Sequence, residues 1–219
     1  MFSETYPARY RDSFGEVATT IHNDGKQLRM TLRGVEFFGT MLDDWEPVAS
    51  TDALQLQQFA FNHTDLCDFV LEFTMPLPLL FHTERVQGTL HIQLTLGAPA
   101  PNGGNDREIL LLTLHVMTFS FSSLGKSGYF EDELLELARQ FPQEMSMQIC
   151  FGCALSDYSP YGNGLFGNLA CFRDNKQQYL AVQTKYELFD IWDTHTEYVQ
   201  ETYHCGEFEQ RKPGAGYSG

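Results

Sequence analysis

No run of about 18 apolar residues occurs anywhere in the chain, so nothing in it reads as a membrane-spanning helix. Basic side chains are scarce: 14 Lys and Arg stand against 29 Asp and Glu in 219 residues, a formal charge of −15. The deficit is even, with 7 basic against 15 acidic residues up to Leu124 and 7 against 14 after it. Nucleic-acid affinity comes from neutralising phosphates, and anionic leaflets attract polybasic segments, so this balance argues against DNA, RNA and anionic membranes and permits a cationic partner. The opening Met1-Phe2-Ser3-Glu4-Thr5 lacks the basic and apolar regions of a secretory signal, which leads to the expectation of a cytoplasmic protein. Neither His-Glu-x-x-His nor Gly-x-Ser-x-Gly is present, so the common metalloprotease and serine-hydrolase strings are missing.

What is present is an ordinary globular composition, 42% hydrophobic and 14% aromatic, in a chain long enough to bury a real core. Residues 1–124 read as antiparallel β-structure. Leu28, Met30 and Leu32 alternate with Arg29 and Thr31, after a hairpin turn at Asn23-Asp24-Gly25. Leu90, Ile92, Leu94 and Leu96 alternate with Thr89, His91, Gln93 and Thr95, a strand with one buried and one wet face. Ile109 to Phe121 is apolar on both faces and is expected at the centre of the sheet. Between these strands Gly97 to Asp106 carries two prolines and three glycines and reads as an exposed loop.

Residues 125–219 read as a helical and metal-binding region packed on that sheet. Phe130 to Phe141 has helical spacing of Phe130, Leu134, Leu137, Ala138 and Phe141, acids at its start and Pro142 at its end. A short strand should lead into Cys150. Asn175 to Trp192 reads as mainly helical with Tyr179, Val182, Tyr186 and Phe189 on one side, and Glu197 to Tyr203 as a last strand delivering Cys205.

Four of the five cysteines fall in this region: Cys150 and Cys153 as a Cys-x-x-Cys pair, then Cys171 and Cys205. Four thiolates are the ligand set of a closed structural Zn2+ site, and an odd cysteine total argues against a disulfide framework. Unmetallated core thiols and redox chemistry are the alternatives; the latter needs a helix start after the pair, where Ala154 to Pro160 reads instead as turn. His204 beside Cys205 is a possible substitute ligand. Cys67 is expected to be a buried, inert thiol. Gly162-Asn163-Gly164-Leu165-Phe166-Gly167 spells Gly-x-Gly-x-x-Gly without the strand-turn-helix context of a dinucleotide site. His195-Thr196-Glu197 supplies half of a zinc-deaminase signature in reversed order. Asp157 beside Ser156 and Ser159 suggests side-chain to backbone turn bonding. The histidines at 22, 63, 82, 91 and 115 show no ligand spacing.

The string Cys150-Phe151-Gly152-Cys153-Ala154-Leu155-Ser156-Asp157-Tyr158-Ser159-Pro160-Tyr161-Gly162, with Ala170-Cys171-Phe172-Arg173, resembles a family of uncharacterised bacterial proteins. So do Tyr198 to Tyr203 with Cys205 and the early Tyr6 to Asp12. The resemblance implies a bacterial cytoplasmic origin and carries no catalytic residues.

Together these readings give an α+β protein, an antiparallel sandwich-like sheet followed by a zinc-stapled C-terminal α/β region with Cys150, Cys153, Cys171 and Cys205 as Zn2+ ligands and no catalytic residue. The expected function is an acidic, non-enzymatic binding protein of the immunity or antitoxin type whose partner is a basic toxin or effector. Asp43 and Asp44 beside Trp45, and Glu131, Asp132 and Glu133, are the candidate contacts. The alternative is a zinc-dependent hydrolase or deaminase around Cys150, Cys153, Cys171 and His195.

Overall fold

The structure is a computed structural model that describes residues 3–159 and 165–212. Most of it is antiparallel sheet. In chain order the strands are β1 (Glu4–Asp12), β2 (Gly15–Asn23), β3 (Leu28–Leu32), β4 (Val35–Gly39), β5 (Glu46–Pro47), β6 (Ala60–Asn62), β7 (Asp65–Cys67), β8 (Phe69–Phe81), β9 (Glu84–Leu96), β10 (Glu108–Val116), β11 (Phe119–Ser122), β12 (Met145–Met147), β13 (Ser156–Tyr158), β14 (Leu169–Cys171) and β15 (Glu197–Val199). The helices are few and short: α1 (Ala53–Leu56), α2 (Phe130–Ala138), α3 (Lys176–Ala181) and α4 (Lys185–Ile191).

Ten strands join one sheet in the order β11-β10-β9-β8-β1-β2-β3-β4-β5, with β12 added alongside β8. The spine is the β8–β9 hairpin, paired over its whole length from Phe69↔Leu96 to Phe81↔Glu84. On its other side β8 meets β1 at Val70–Phe73 and β12 at Leu79–Phe81. Pro76 and Pro78 fall in the gap between those partners, where a missing N–H leaves no ladder bond unmade. Period-two alternation decides which face is dry. Leu28, Met30 and Leu32, then Leu90, Ile92, Leu94 and Leu96, are all buried as their spacing predicts. Gly88 on β9 lets the core close over it: a Cβ there would stand 2.8 Å from Leu114 Cδ1 and 2.9 Å from Leu79 Cδ1, so any larger residue makes both leucines shift.

The apolar run from Ile109 to Phe121 is not a central strand. Met117, at φ 53°, turns the chain between β10 and the four-residue edge strand β11. Its second apolar set is covered only in part: Ile109 and Met117 are exposed, Leu111 and Phe119 half-buried, and Phe121, past the turn, buried.

Helix α2 buries Phe130, Leu134 and Leu137 as expected but ends at Ala138. The main hydrophobic cluster takes in these residues, Met145, Met147 and Ile149, and Leu165 and Phe166 together with the strand residues, so it runs across position 124. The predicted helix over 175–192 breaks at Val182-Gln183-Thr184, where Thr184 and Glu187 form a reciprocal capping box. The break shifts the helical phase, so Leu188 is buried and Tyr186 exposed. Asp157 and its neighbours form strand β13 rather than a turn, in a three-stranded sheet ordered β13-β14-β15. Among the described residues no helix is long and apolar enough to cross a membrane.

Candidate functional site

A 3-10 turn over Cys150–Gly152 follows β12, with the Cys153 amide donating to the Cys150 carbonyl at 3.0 Å. Cys171 ends β14 and pairs with Ser156. After β15 the chain runs back along the turn: Phe151 N–H donates to Glu201 O at 3.0 Å and Cys150 N–H to Tyr203 O at 2.7 Å. The following segment bonds to the pair as well, through Ala154 N–H to Glu209 O at 2.7 Å and Arg211 N–H to Gly152 O at 2.9 Å. These ladders bring three distant segments, and with them four sulfurs, into one neighbourhood.

Cys150, Cys153 and Cys171 are buried, Cys205 is half-buried, and all four are free thiols. Burial pushes the Cys150 thiol well above its ordinary range, and the charges of Cys153, Cys205 and Cys171 push it further. Cys171 is raised by burial too, with Cys153 and Cys205 adding to it. The four are therefore within electrostatic reach of one another. Among the described residues, however, no group of three or more His, Cys, Asp or Glu side chains stands at metal-holding geometry. Mutual proximity and ligating geometry are different conditions, and the thiols meet the first. His204 lies beside them with Nδ1 2.5 Å from the Gln148 carbonyl oxygen. His195 is engaged elsewhere, its Nδ1 2.7 Å from Trp192 O and its ring 4.5 Å from that of Tyr198. Cys67 is buried on β7, and burial raises its thiol.

Beneath the thiols lies a set of buried polar groups that no sequence motif announces. Ser156 Oγ donates to Cys150 O at 2.5 Å. Asp157 accepts from Tyr179 OH at 3.0 Å and from Tyr158 N–H at 2.9 Å. Glu201 is fully buried; Gly167 N–H reaches it at 2.7 Å and Tyr158 OH at 3.2 Å. Burial pushes its carboxyl up to about 7, against those hydrogen bonds. Gly167 sits at φ 89° with Thr40 O 2.7 Å from where a Cβ would be, so only glycine fits there. Of the Gly-x-Gly-x-x-Gly string, residues 162–164 lie outside the described residues.

The candidate acidic contacts need correction. Glu133 is buried and accepts from the amides of Gly125 at 2.8 Å and Ser127 at 3.0 Å, closing the approach to α2. Asp44 accepts from Thr40 N–H and Met41 N–H and shapes its own loop, while Trp45 beside it is fully buried. Asp43 is half-buried, and burial lifts its carboxyl to about 6. Glu131 and Asp132 remain on the outer side of α2, half-buried and exposed. Sequence reasoning also missed Arg33, which forks onto Asp12 at 2.7 and 2.8 Å among the rings of Tyr10, Phe14 and Phe59. Burial raises the Asp12 carboxyl, and the bonds from Arg33 and Phe14 N–H outweigh it and hold the group below its usual range. Arg33 at φ 48°, before a glycine, was the local signal of that turn.

Residues 4–156 match the model of a family of unknown function (DUF6304). No curated protein and no solved structure matches the chain.

Proposed function

The chain belongs to the DUF6304 family, and we propose that it is a non-catalytic, acidic cytoplasmic binding protein of the immunity or antitoxin type, which neutralises a basic toxin or effector and whose C-terminal region is fastened by one Zn2+ held by Cys150, Cys153, Cys171 and Cys205. The observation that carries the binding role is the surplus of negative charge, 29 acidic against 14 basic side chains. A surface of that sign attracts a basic partner and speeds its encounter, with an effect that falls as salt rises.

What supports the zinc is the convergence of four free thiols from three chain segments. Buried thiolates repel one another and are stabilised together only by a cation, and a coordinated thiol is deprotonated outright. Four thiolates leave no open position for an activated water, which accords with a structural ion rather than a catalytic one. Free thiols also suit a reducing compartment.

Co-purification from the producing cells at low ionic strength tests the binding role. The expected result is a basic protein that is released as salt is raised. Capture of a neutral partner indifferent to salt overturns the proposal. Native mass spectrometry checks the ion, with one zinc per chain expected.

A further inference from the structure

The β9–β10 pairing does what the linear spacing of the histidines does not suggest. His91 on β9 is opposite Thr113, and His115 on β10 is opposite Thr89, so the two histidines are diagonal neighbours across the ladder. Both are exposed, while Leu90, Ile92, Leu114 and Val116 point into the core; the two rings share the solvent face of the sheet. Their centroids are 5.0 Å apart with the planes at 85°. Two imidazoles that bind one ion at about 2.0–2.1 Å through nitrogen, at an angle between square and tetrahedral, hold their centroids roughly 4.5–5 Å apart. The observed separation lies at that distance with both strands in place, so chelation needs rotation of side chains and no movement of backbone.

We propose that His91 and His115 form a surface chelate for a late first-row divalent metal ion, Ni2+ or Cu2+ in class, with water completing the coordination. The positions paired with these histidines are Thr74, Thr113, Thr89 and Ser120. All four are uncharged hydroxyl side chains, so none of them repels a cation. Imidazole suits these ions, whereas the tetrathiolate set suits zinc, and the two sites share no residue. The site sits on strands fixed at both flanks, β9 between β8 and β10 and β10 between β9 and β11, so the backbone under the two ligands is placed in advance and only the side chains are ordered on binding. Binding requires neutral imidazole and falls away in acid.

Titration of the full chain with Ni2+ in neutral reducing buffer tests this, compared with His91→Asn, His115→Asn, the double variant, and His63→Asn as the control. Disturbing an outer partner of a ligand already weakens metal binding 10–100-fold, so loss of one of only two protein ligands weakens it by at least about tenfold. The expected result is one Ni2+ bound by the wild type, at least about tenfold weaker binding in each single His variant, no binding at this site in the double variant, and wild-type affinity in the His63→Asn control. Paramagnetic broadening by Ni2+ is expected to centre on the strands that carry His91 and His115. Both histidines are exposed, so the variants keep the wild-type circular dichroism spectrum. Undiminished Ni2+ binding in the double variant, broadening centred at the cysteines, or no binding by the wild type each overturns the proposal.

Discussion

On β8, β9 and β10 the buried side chains are Leu, Ile, Phe, Met and Val at every second position. Between Gln148 and Glu201 burial takes in Gln148, Ser156, Asp157, Gln200 and Glu201 beside three cysteines, aromatic rings and scattered aliphatic side chains. The first region draws its stability from contiguous apolar area, which is non-directional and tolerant. The second has two small clusters, one around Cys150, Tyr158, Leu169, Cys171 and Val199 and one around Ala170, Phe172, Tyr179, Val182 and Leu188. Cores of that size rarely sustain a fold without a staple. The C-terminal region therefore relies on directed bonds, each specific and each costly to lose, where the sheet relies on area.

Removing the proposed Zn2+ breaks this comparison most severely. Apparent binding energies for structural zinc in small peptides are about 10–16 kcal/mol, so chelation, or Cys150→Ser, is expected to unfold residues after Gln148 and leave the sheet. Hydrogen exchange checks this: protection is lost on β13, β14 and β15 and kept on β8, β9 and β10. Loss of protection in both regions together would merge them into one cooperative unit. Next in size is Leu94→Ala in the sheet, which removes a fully buried side chain from a packed face and costs about 2–5 kcal/mol by denaturant unfolding. The expected signature is the reverse of the first, with the main transition lowered and zinc content unchanged.

Glu201 gives a third contrast, through pH. Its carboxyl is raised from 4.5 to about 7 by burial, so the folded state holds this proton more tightly than the unfolded chain does. The associated stability is fully present below about pH 4.5 and is lost as pH rises through about 7. The rise corresponds to ~3 kcal/mol. Glu201→Gln keeps an oxygen for the Gly167 amide and removes the titration. Wild type and variant should therefore diverge between pH 4.5 and 7, the variant being the more stable above that window. Parallel stability profiles would show that Glu201 keeps its ordinary ionisation.

The same contrast explains what the sequence made legible. Strand positions, the wet and dry faces of β3 and β9, the Asn23 to Gly25 turn and the α2 stripe all follow from periodicity, because burial by area writes a period into the chain. That the run splits into β10 and the edge strand β11 was hidden, since it is apolar on both faces and pattern does not report which strands stand beside it. Near the thiols the cysteines themselves stood out from Cys-x-x-Cys, whereas the burial of Glu201, Asp157 and Gln200 did not. A buried carboxylate has the same letter as a solvated one, and its partners Tyr158, Gly167 and Tyr179 are 43, 34 and 22 residues away in their respective bonds. The His91–His115 pair was missed for a related reason: 24 residues of separation carry no ligand spacing until the register of β9 on β10 is known.

The smallest of these effects lies at the seam between the two regions. Asn23 at the end of β2 and Gln200 after β15 exchange amide bonds, Asn23 Nδ2 to Gln200 Oε1 at 2.7 Å and Gln200 Nε2 to Asn23 Oδ1 at 3.0 Å, with both residues buried. Gly25 N–H and Tyr6 OH meet the remaining capacity of Asn23 at 2.8 and 3.1 Å. Either alanine variant strands its buried partner and costs about 1–3 kcal/mol, but part of that penalty disappears when both are removed. A double-mutant cycle with Asn23→Ala and Gln200→Ala should give a coupling of about 1 kcal/mol. Because the pair spans the seam, that coupling should appear in the protection of β15 as well as in the main transition. Additive single effects would mean that this amide exchange adds nothing to the seam, which is then held by the packing of Leu165 and Phe166 and by bonds such as Leu42 N–H to Leu165 O at 2.9 Å.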